Sequence, residues 1–278
     1  MLNSSKFLRN TIKGKDRKKY LNFCKRVLTD TVYDEKIREK FFKNPKSITE
    51  KEWNFVFKNK IEESSLNGNF WPERAHTMIG MKRLDNLQFC VEEVIKNKIK
   101  GDFIETGVWR GGASIFMKLI LNEYNVKYKD VYVADSFKGL PPPKPDIYPK
   151  DYGDTLFKED FLRVSKNKVK DNFRKYKVLD DRVKFLEGWF EETTINPPFE
   201  KLSILRVDGD MYSSTWSVLI NLYNKLSIGG FLIIDDYGLP TCKAAVDDFR
   251  EKFSVPESMI EIDWTGRFWK KTTDLKIN

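Results

Sequence analysis

The chain has 278 residues, 50 Lys+Arg against 41 Asp+Glu (formal net charge +9), 40% hydrophobic and 14% aromatic content. That length and apolar share exclude a disordered chain and accommodate one large α/β domain, or one domain with an appendage. No stretch reaches the roughly 18 consecutive apolar residues of a membrane helix. The opening MLNSSKFLRNTIKGKDRKKY has no apolar h-region and no small-residue cleavage site, so a cytoplasmic protein without a membrane span is expected.

The charge is unevenly placed. Residues 1–60 carry 17 basic and 7 acidic residues, leaving 33 basic and 34 acidic in the remainder. The basic excess therefore belongs to a helical N-terminal extension over residues 1–69, and the body from residue 70 to 278 is neutral. Residues 1–17 read as a polar tail. From about Lys18 a helical period places Tyr20, Phe23, Cys24, Val27 and Leu28 on one face, with Lys19, Lys25 and Arg26 off it. Ser47-Ile-Thr-Glu50 fits a helix start with an acidic third position, followed by Trp53, Phe55 and Val56. SSLNGNFWP (64–72) is a break, and a further helix is expected over about Lys82–Asn97, with Leu84, Leu87, Phe89, Val91 and Val94 as its apolar set.

After Gly101 the period changes. Short apolar runs recur at Phe103–Val108, Val131–Ala134, Val183–Leu186, Leu202–Val207 and Phe231–Ile234, separated by helical stretches. Such runs are the strands of a mostly parallel sheet covered on both faces by helices. Ile260–Trp264 and Phe268–Lys271, around Thr-Gly, read as a terminal hairpin on the sheet edge. Pro141–Pro149 and the Lys-rich Lys166–Lys177 read as a long insertion after the second strand, of the kind used as lids and binding loops. Three separated cysteines (Cys24, Cys90, Cys242) without a CxxC spacing read as reduced thiols.

In an open α/β sheet, ligands bind outside the carboxyl ends of the strands. The first strand ends in Phe103-Ile-Glu-Thr-Gly-Val-Trp-Arg-Gly-Gly-Ala-Ser114, where glycines permit close backbone approach. Its GxxxGG spacing is neither the dinucleotide GxGxxG nor a P-loop. It suits a nucleotide-type ligand without a cradled phosphate. Asp135-Ser136 closes the second strand, and a carboxylate there suits a ribose diol. Glu105 is placed to accept from an ammonium group of the same ligand. The fourth strand ends Arg206-Val-Asp-Gly-Asp210 and the fifth Ile233-Ile-Asp-Asp236. Taken singly, an aspartate of this kind is most simply a helix cap or a solvated residue. Four carboxylates converging at one sheet edge would repel one another, and a hard divalent cation (magnesium, calcium or manganese) resolves that cost. His76 is the only histidine, and neither a GxSxG elbow nor a His/Cys zinc set exists.

WPERAHTMIGMKRLDN (71–86), GDFIETGVWRGGAS (101–114), DSFKGLP (135–141), VKFLEGWFE (183–191), LRVDGDMY (205–212), GFLIIDDYG (230–238), AVDDFR (245–250) and IDWTGRFW (262–269) together resemble the macrocin/mycinamicin-type sugar O-methyltransferases. The resemblance covers about residues 70–272. It implies a Rossmann-like class I fold with a seven-stranded sheet, an S-adenosylmethionine-dependent reaction and a requirement for Mg²⁺. It assigns Asp208, Asp235 and Asp236 to the metal and Asp210 to the general base. It assigns cofactor contacts to Thr77, Met78, Glu105, Thr106, Gly107, Arg110, Gly112, Asp135, Ser136, Phe137, Gly188, Trp189, Asp208 and Ser213. A sugar-containing small molecule is the implied acceptor, and a homo-oligomer, dimer or larger, is implied as well. Residues 1–60 do not match the family pattern, which leaves the acceptor open.

Two readings of other classes compete. A nicotinamide-dependent oxidoreductase uses a similar sheet, but GxGxxG is missing and the four carboxylates stay unexplained. A non-catalytic nucleic-acid-binding protein would use the basic N-terminus, whose lysines read more simply as a solvated helix face. Nucleic acid is therefore not the expected partner.

Overall fold

The computed structural model describes residues 14–32, 66–68, 74–275 and 277. The helix expected from Ser47, the first thirteen residues and most of the 64–72 break lie outside them, as does most of the N-terminal extension.

Seven strands form one sheet: β1 (Asp102–Thr106), β2 (Val131–Asp135), β3 (Val183–Glu187), β4 (Leu202–Val207), β5 (Leu226–Ile234), β6 (Ile260–Glu261) and β7 (Arg267–Lys270). Their spatial order is β3-β2-β1-β4-β5-β7-β6. β1 to β5 are mutually parallel, and β7 runs antiparallel between β5 and β6. The order reverses between β1 and β4, which opens a crevice at their carboxyl ends. This is the Rossmann-like, mostly parallel architecture with helices on both faces.

Strand side chains alternate between two cores. Phe103, Val131, Val133, Ile204, Phe231 and Ile233 enter one, whereas Ile104, Tyr132, Ala134, Leu205, Leu232 and Ile234 enter the other. The first is covered by α1 (Gly14–Leu28), α2 (Met81–Lys96), α3 (Gly112–Glu123) and α4 (Lys166–Lys175). The second is covered mainly by α6 (Tyr212–Leu222) and α7 (Pro240–Lys252), with the single turn α5 (Phe190–Thr193) beside them. Burial on both faces is why the strands read as unbroken apolar runs. Among the described residues, no helix is long and apolar enough to cross a membrane.

Four expectations are corrected. In α1 the buried seam is Leu21, Cys24 and Leu28 with Lys25. Phe23 is 58% exposed, and Lys25 pairs instead with Asp85 of α2. In α2, Phe89 is 49% exposed and rests edge-on against Phe231 and Phe268, while Arg83 and Cys90 are buried. β5 starts five residues earlier than its apolar run, because Gly229 in a left-handed conformation (φ 86°) lets the strand bend and pair its N–H with Lys271. Lys166–Lys177 is no insertion: α4 is the crossover helix from β2 to β3, with Val169 and Phe173 in the core and its lysines outward. The inserted part is residues 136–165, built on three 3₁₀ turns, Pro149–Asp151, Leu156–Lys158 and Asp160–Leu162.

His76 lies behind the crevice. Its Nδ1 pairs with the Tyr176 hydroxyl at 2.9 Å, with the rings edge to face. Burial, helped by Lys175, Arg110 and Lys168, lowers its pKa to about 4. Between pH ~6.5 and that value the unfolded chain binds a proton that the folded chain refuses. His76 therefore makes the fold less stable as pH falls through this window and has no effect above it. The difference in thermal midpoint between the native chain and His76→Gln should be flat above about pH 6.5 and should drift against the native chain below it. A constant difference from pH 8 to pH 4 would show that His76 titrates normally.

Candidate active site

Backbone hydrogen bonds hold the strand ends in step. Asp208 N–H donates to Thr106 O (2.9 Å), Asp235 N–H to Val207 O (2.9 Å), and Gly188 N–H to Asp135 O (3.0 Å). Gly107 (φ 89°) sits where the backbones of β1 and β4 nearly touch. A Cβ there would stand 1.6 Å from Asp208 O, so only glycine fits.

The crevice holds a cavity of about 280 Å³. On the β1/β2 side it is walled by Thr77, Met78, Gly107, Trp109, Asp135, Ser136, Gly188 and Trp189, and on the β4/β5 side by Asp208, Asp210, Asp235 and Asp236. Leu140, Pro141, Leu156, Phe161 and Leu162 of the 136–165 segment, with Trp264 and Thr265 of the β6–β7 turn, complete the wall. The indole Nε1 of Trp109 donates to Phe161 O (2.8 Å), tying that segment to the β1–α3 turn.

Asp135 accepts from Val108 N–H at Oδ2 (2.8 Å) and from Phe137 N–H at Oδ1 (2.6 Å). These bonds fix the orientation of the carboxylate, which lines the cleft. Ser136 turns its hydroxyl back to Gly139 O (2.7 Å).

Beneath the other half lies an ion network. The fully buried Arg206 donates to Glu105 Oε1 (2.7 Å), Asp208 Oδ2 (2.6 Å) and Asp235 Oδ1. Arg83 of α2, also buried, holds Asp235 Oδ2 and donates through Nε to Asp263 Oδ2 (2.9 Å). Glu105 Oε2 takes the Ser114 hydroxyl. Burial outweighs the Arg206 charge and raises the Glu105 pKa to about 7.

Asp208, Asp210 and Asp236 present carboxylate oxygens that all lie within 4.8 Å of one another. Burial and the neighbouring carboxylates raise Asp208 to about 6, Asp210 to about 8, and Asp236 well above the usual carboxylate range. Asp154 of the 136–165 segment adds its charge to the field at Asp210. Arg206 meets only the Asp208 member of this trio. The Asp210 carboxylate has no hydrogen-bond partner among the described residues. This is a concentration of negative charge that a hard cation relieves.

Some expected contact residues stand behind the wall. Thr106 is fully buried, with its hydroxyl on Arg206 O (3.3 Å). Arg110 lies over the Trp109 ring (4.0 Å) and donates to Ala75 O (2.7 Å). Gly112 packs against the His76 carbonyl, and Phe137 against Phe185. Ser213 is buried, and its N–H is accepted by Asp151, while Ser214 and Ser217 reach the cavity. Glu105 lines the floor of the cleft, with one oxygen on Arg206 and the other on Ser114. Asp235 is held at both oxygens by arginines, and its place in the converging trio is taken by Asp210. Arg83, Arg206 and Trp264 were not singled out from the sequence. Arg206 and Arg83 had a signal: an arginine beside an acidic strand end, and another inside a long motif.

The fold, with one cleft joining the Asp135 carboxylate to an acidic cluster, is that of a class I O-methyltransferase. Residues 17–271 match the macrocin-O-methyltransferase (TylF) family. The chain is 44% identical over 259 residues to demethyldecarbamoylnovobiocin O-methyltransferase of Streptomyces niveus, covering 92% of this chain and 95% of that protein. It is 46% identical over 215 residues to mycinamicin III 3''-O-methyltransferase of Micromonospora griseorubida, covering 76% and 85%. The solved structure of the O-methyltransferase NovP superposes with a TM-score of 0.82 at 43% identity, covering 93% of this chain and all of that one. The chain belongs to the macrocin O-methyltransferase family.

Proposed function

We propose that this enzyme transfers the methyl group of S-adenosylmethionine to a hydroxyl of a sugar unit in a glycosylated small molecule, with Mg²⁺ as its cation. The observation that carries this reading is the single cleft that joins Asp135 to the acidic trio. The relatives' names supply the acceptor class, since they act on demethyldecarbamoylnovobiocin and on mycinamicin III.

S-adenosylmethionine, when bound, supplies an electrophilic methyl group on a sulfonium. Asp135 takes the ribose hydroxyls, and Gly107 and Gly188 let the backbone approach. Thr77, Met78, Ser136 and Trp189 enclose the rest, while Thr106, Arg110, Gly112, Phe137 and Ser213 support that wall from behind. A divalent cation, when bound, stabilises the negative charge that develops on the acceptor oxygen. Asp208 and Asp236 hold it. Asp235 would join them, its orientation fixed by Arg83 and Arg206. The oxygen-only donor set fits Mg²⁺. Asp210, two residues beyond Asp208, has no hydrogen-bond partner to its carboxylate among the described residues. It takes the proton from the sugar hydroxyl as that oxygen bonds to the methyl carbon, the S–CH₃ bond breaks and S-adenosylhomocysteine leaves as a neutral thioether.

The direct test incubates the full chain with methyl-labelled S-adenosylmethionine, Mg²⁺ and either demethyldecarbamoylnovobiocin, mycinamicin III or a panel of nucleotide sugars. Label should pass to a glycoside, and EDTA or Asp235→Ala should each abolish transfer. Full activity in excess EDTA would take the cation out of the reaction. Label transfer to none of the sugars, with transfer to an unglycosylated phenol, would overturn the acceptor class.

A further inference from the structure

Asp210 stands in the left-handed backbone region (φ 56°), which is uncommon for a residue with a side chain and persists where surrounding contacts enforce it. Two contacts act on the residue directly. Its N–H donates to Asp236 Oδ2 (3.2 Å), and its carbonyl accepts from the Thr241 hydroxyl of α7 (2.7 Å). The third restraint comes from the helix that follows. α6 has no side-chain cap of its own, its N-cap position being Met211. Its first two N–H groups are instead accepted by Asp151, Tyr212 N–H at Oδ1 (2.7 Å) and Ser213 N–H at Oδ2 (3.1 Å). Asp151 is fully buried and lies 61 residues upstream, inside the 136–165 segment. Around this junction Lys150 pairs with Asp248 of α7 and lies 5.2 Å from the Tyr212 ring centroid, and the Tyr212 hydroxyl donates to Asp248 (2.9 Å).

We propose that Asp151 is a positioning residue, a latch that fastens the 136–165 segment to the helix behind Asp210 and holds the strained Asp208-Gly209-Asp210 turn in its working shape. A carboxylate on the first N–H groups of a helix satisfies two donors and suits the positive end of the helix. Supplied from a distant segment, that cap makes the order of the segment and the geometry of the acidic turn one event. The segment contributes Leu156, Phe161 and Leu162 to the cleft wall, so an unseated wall is accompanied by a relaxed turn. This inference rests on the role given above to Asp210.

The test uses the full chain, native and as Asp151→Ala and Asp151→Asn. Amide hydrogen exchange is followed over 206–216 and 141–165, alongside calorimetric affinity for S-adenosylmethionine. Asp151→Ala should speed exchange at residues 210–213 at least tenfold and speed tryptic cleavage after Lys150 and Lys158, with cofactor affinity within twofold of native. Asp151→Asn, which keeps one acceptor oxygen, should fall between. On demethyldecarbamoylnovobiocin or mycinamicin III, kcat should fall at least tenfold while KM for S-adenosylmethionine stays within twofold. Native exchange at 210–213, or a native kcat, in Asp151→Ala overturns the latch. Should the alanine variant not fold, Asp151→Asn decides, and protection lost across the whole sheet there also overturns it by making Asp151 a residue of the fold alone. If Asp210→Asn keeps full turnover, it is the role of Asp210 that fails, and the exchange data still decide the latch.

Discussion

Asp210→Asn lowers turnover by about 10²- to 10⁴-fold, the usual worth of a positioned general base, and leaves cofactor and cation binding in place. The substitution is close to isosteric, and asparagine tolerates the left-handed backbone at this position as aspartate does, so the turn survives. What is lost is the ability to hold a proton. Burial with the charges of Asp208, Asp235 and Asp154 raises Asp210 to about 8, and a cation beside the trio would draw that value down into the range where the carboxylate is free to act. Single-turnover methyl transfer, with calorimetry for S-adenosylmethionine and electron paramagnetic resonance for Mn²⁺, separates the effects. A variant that retains turnover within tenfold of native places the base elsewhere, and one that loses Mn²⁺ makes Asp210 a ligand.

Arg206→Met has the largest expected effect on stability. Arg206 is fully buried and shared by Glu105, Asp208 and Asp235 from three adjacent strand ends. Breaking a buried ion network by removing one partner costs about 3–5 kcal/mol, because the stranded charges remain desolvated. Methionine fills most of the volume, so the loss is electrostatic and not a cavity. The sign with pH follows. Burial already raises Glu105 and Asp208, and the Arg206 charge opposes that rise. Without the guanidinium their folded pKa values stand further above the unfolded ones, so the variant gains stability as protons bind and loses it as pH rises. Urea unfolding should show a deficit that is larger at pH 8 than at pH 5. An equal deficit at both values would mean that packing, not charge, is what Arg206 contributes.

Much of the fold was legible because parallel strands buried on both faces leave continuous apolar runs. The bounds of β4 are those of its run, Leu202–Val207. The acidic strand ends were legible for a related reason: Asp135 closes its strand, Asp208 and Asp235 follow theirs directly, and topology alone brings such ends to one crevice. The cations were harder to see. Arg83 and Arg206 are buried charges, and burial of a charge is decided by partners that lie 152 and 29 residues away along the chain. Phe23 and Lys25 were misplaced for the same reason. A helical period gives the face, but the ion pair to Asp85 rotates the seam so that a lysine enters it and a phenylalanine leaves. Thr106 and Phe137 lie in the right motifs, yet alternation along the strand and the turn after it direct them into the wall.

The network of Arg83 and Arg206 with Glu105, Asp208, Asp235 and Asp263 also governs how the chain can be recombined with its relatives. These six side chains come from α2, from three different strand ends and from the β6–β7 turn, so any crossover point between residues 83 and 263 separates some of them. A hybrid enzyme that inherits an arginine from one parent and a carboxylate from a parent that spaces it differently starts with an unmatched charge at its centre. Exchanging the 136–165 segment leaves all six with one parent, and that segment lines the cleft. That stretch of the cleft wall can therefore be exchanged without separating the charges that hold the sheet together.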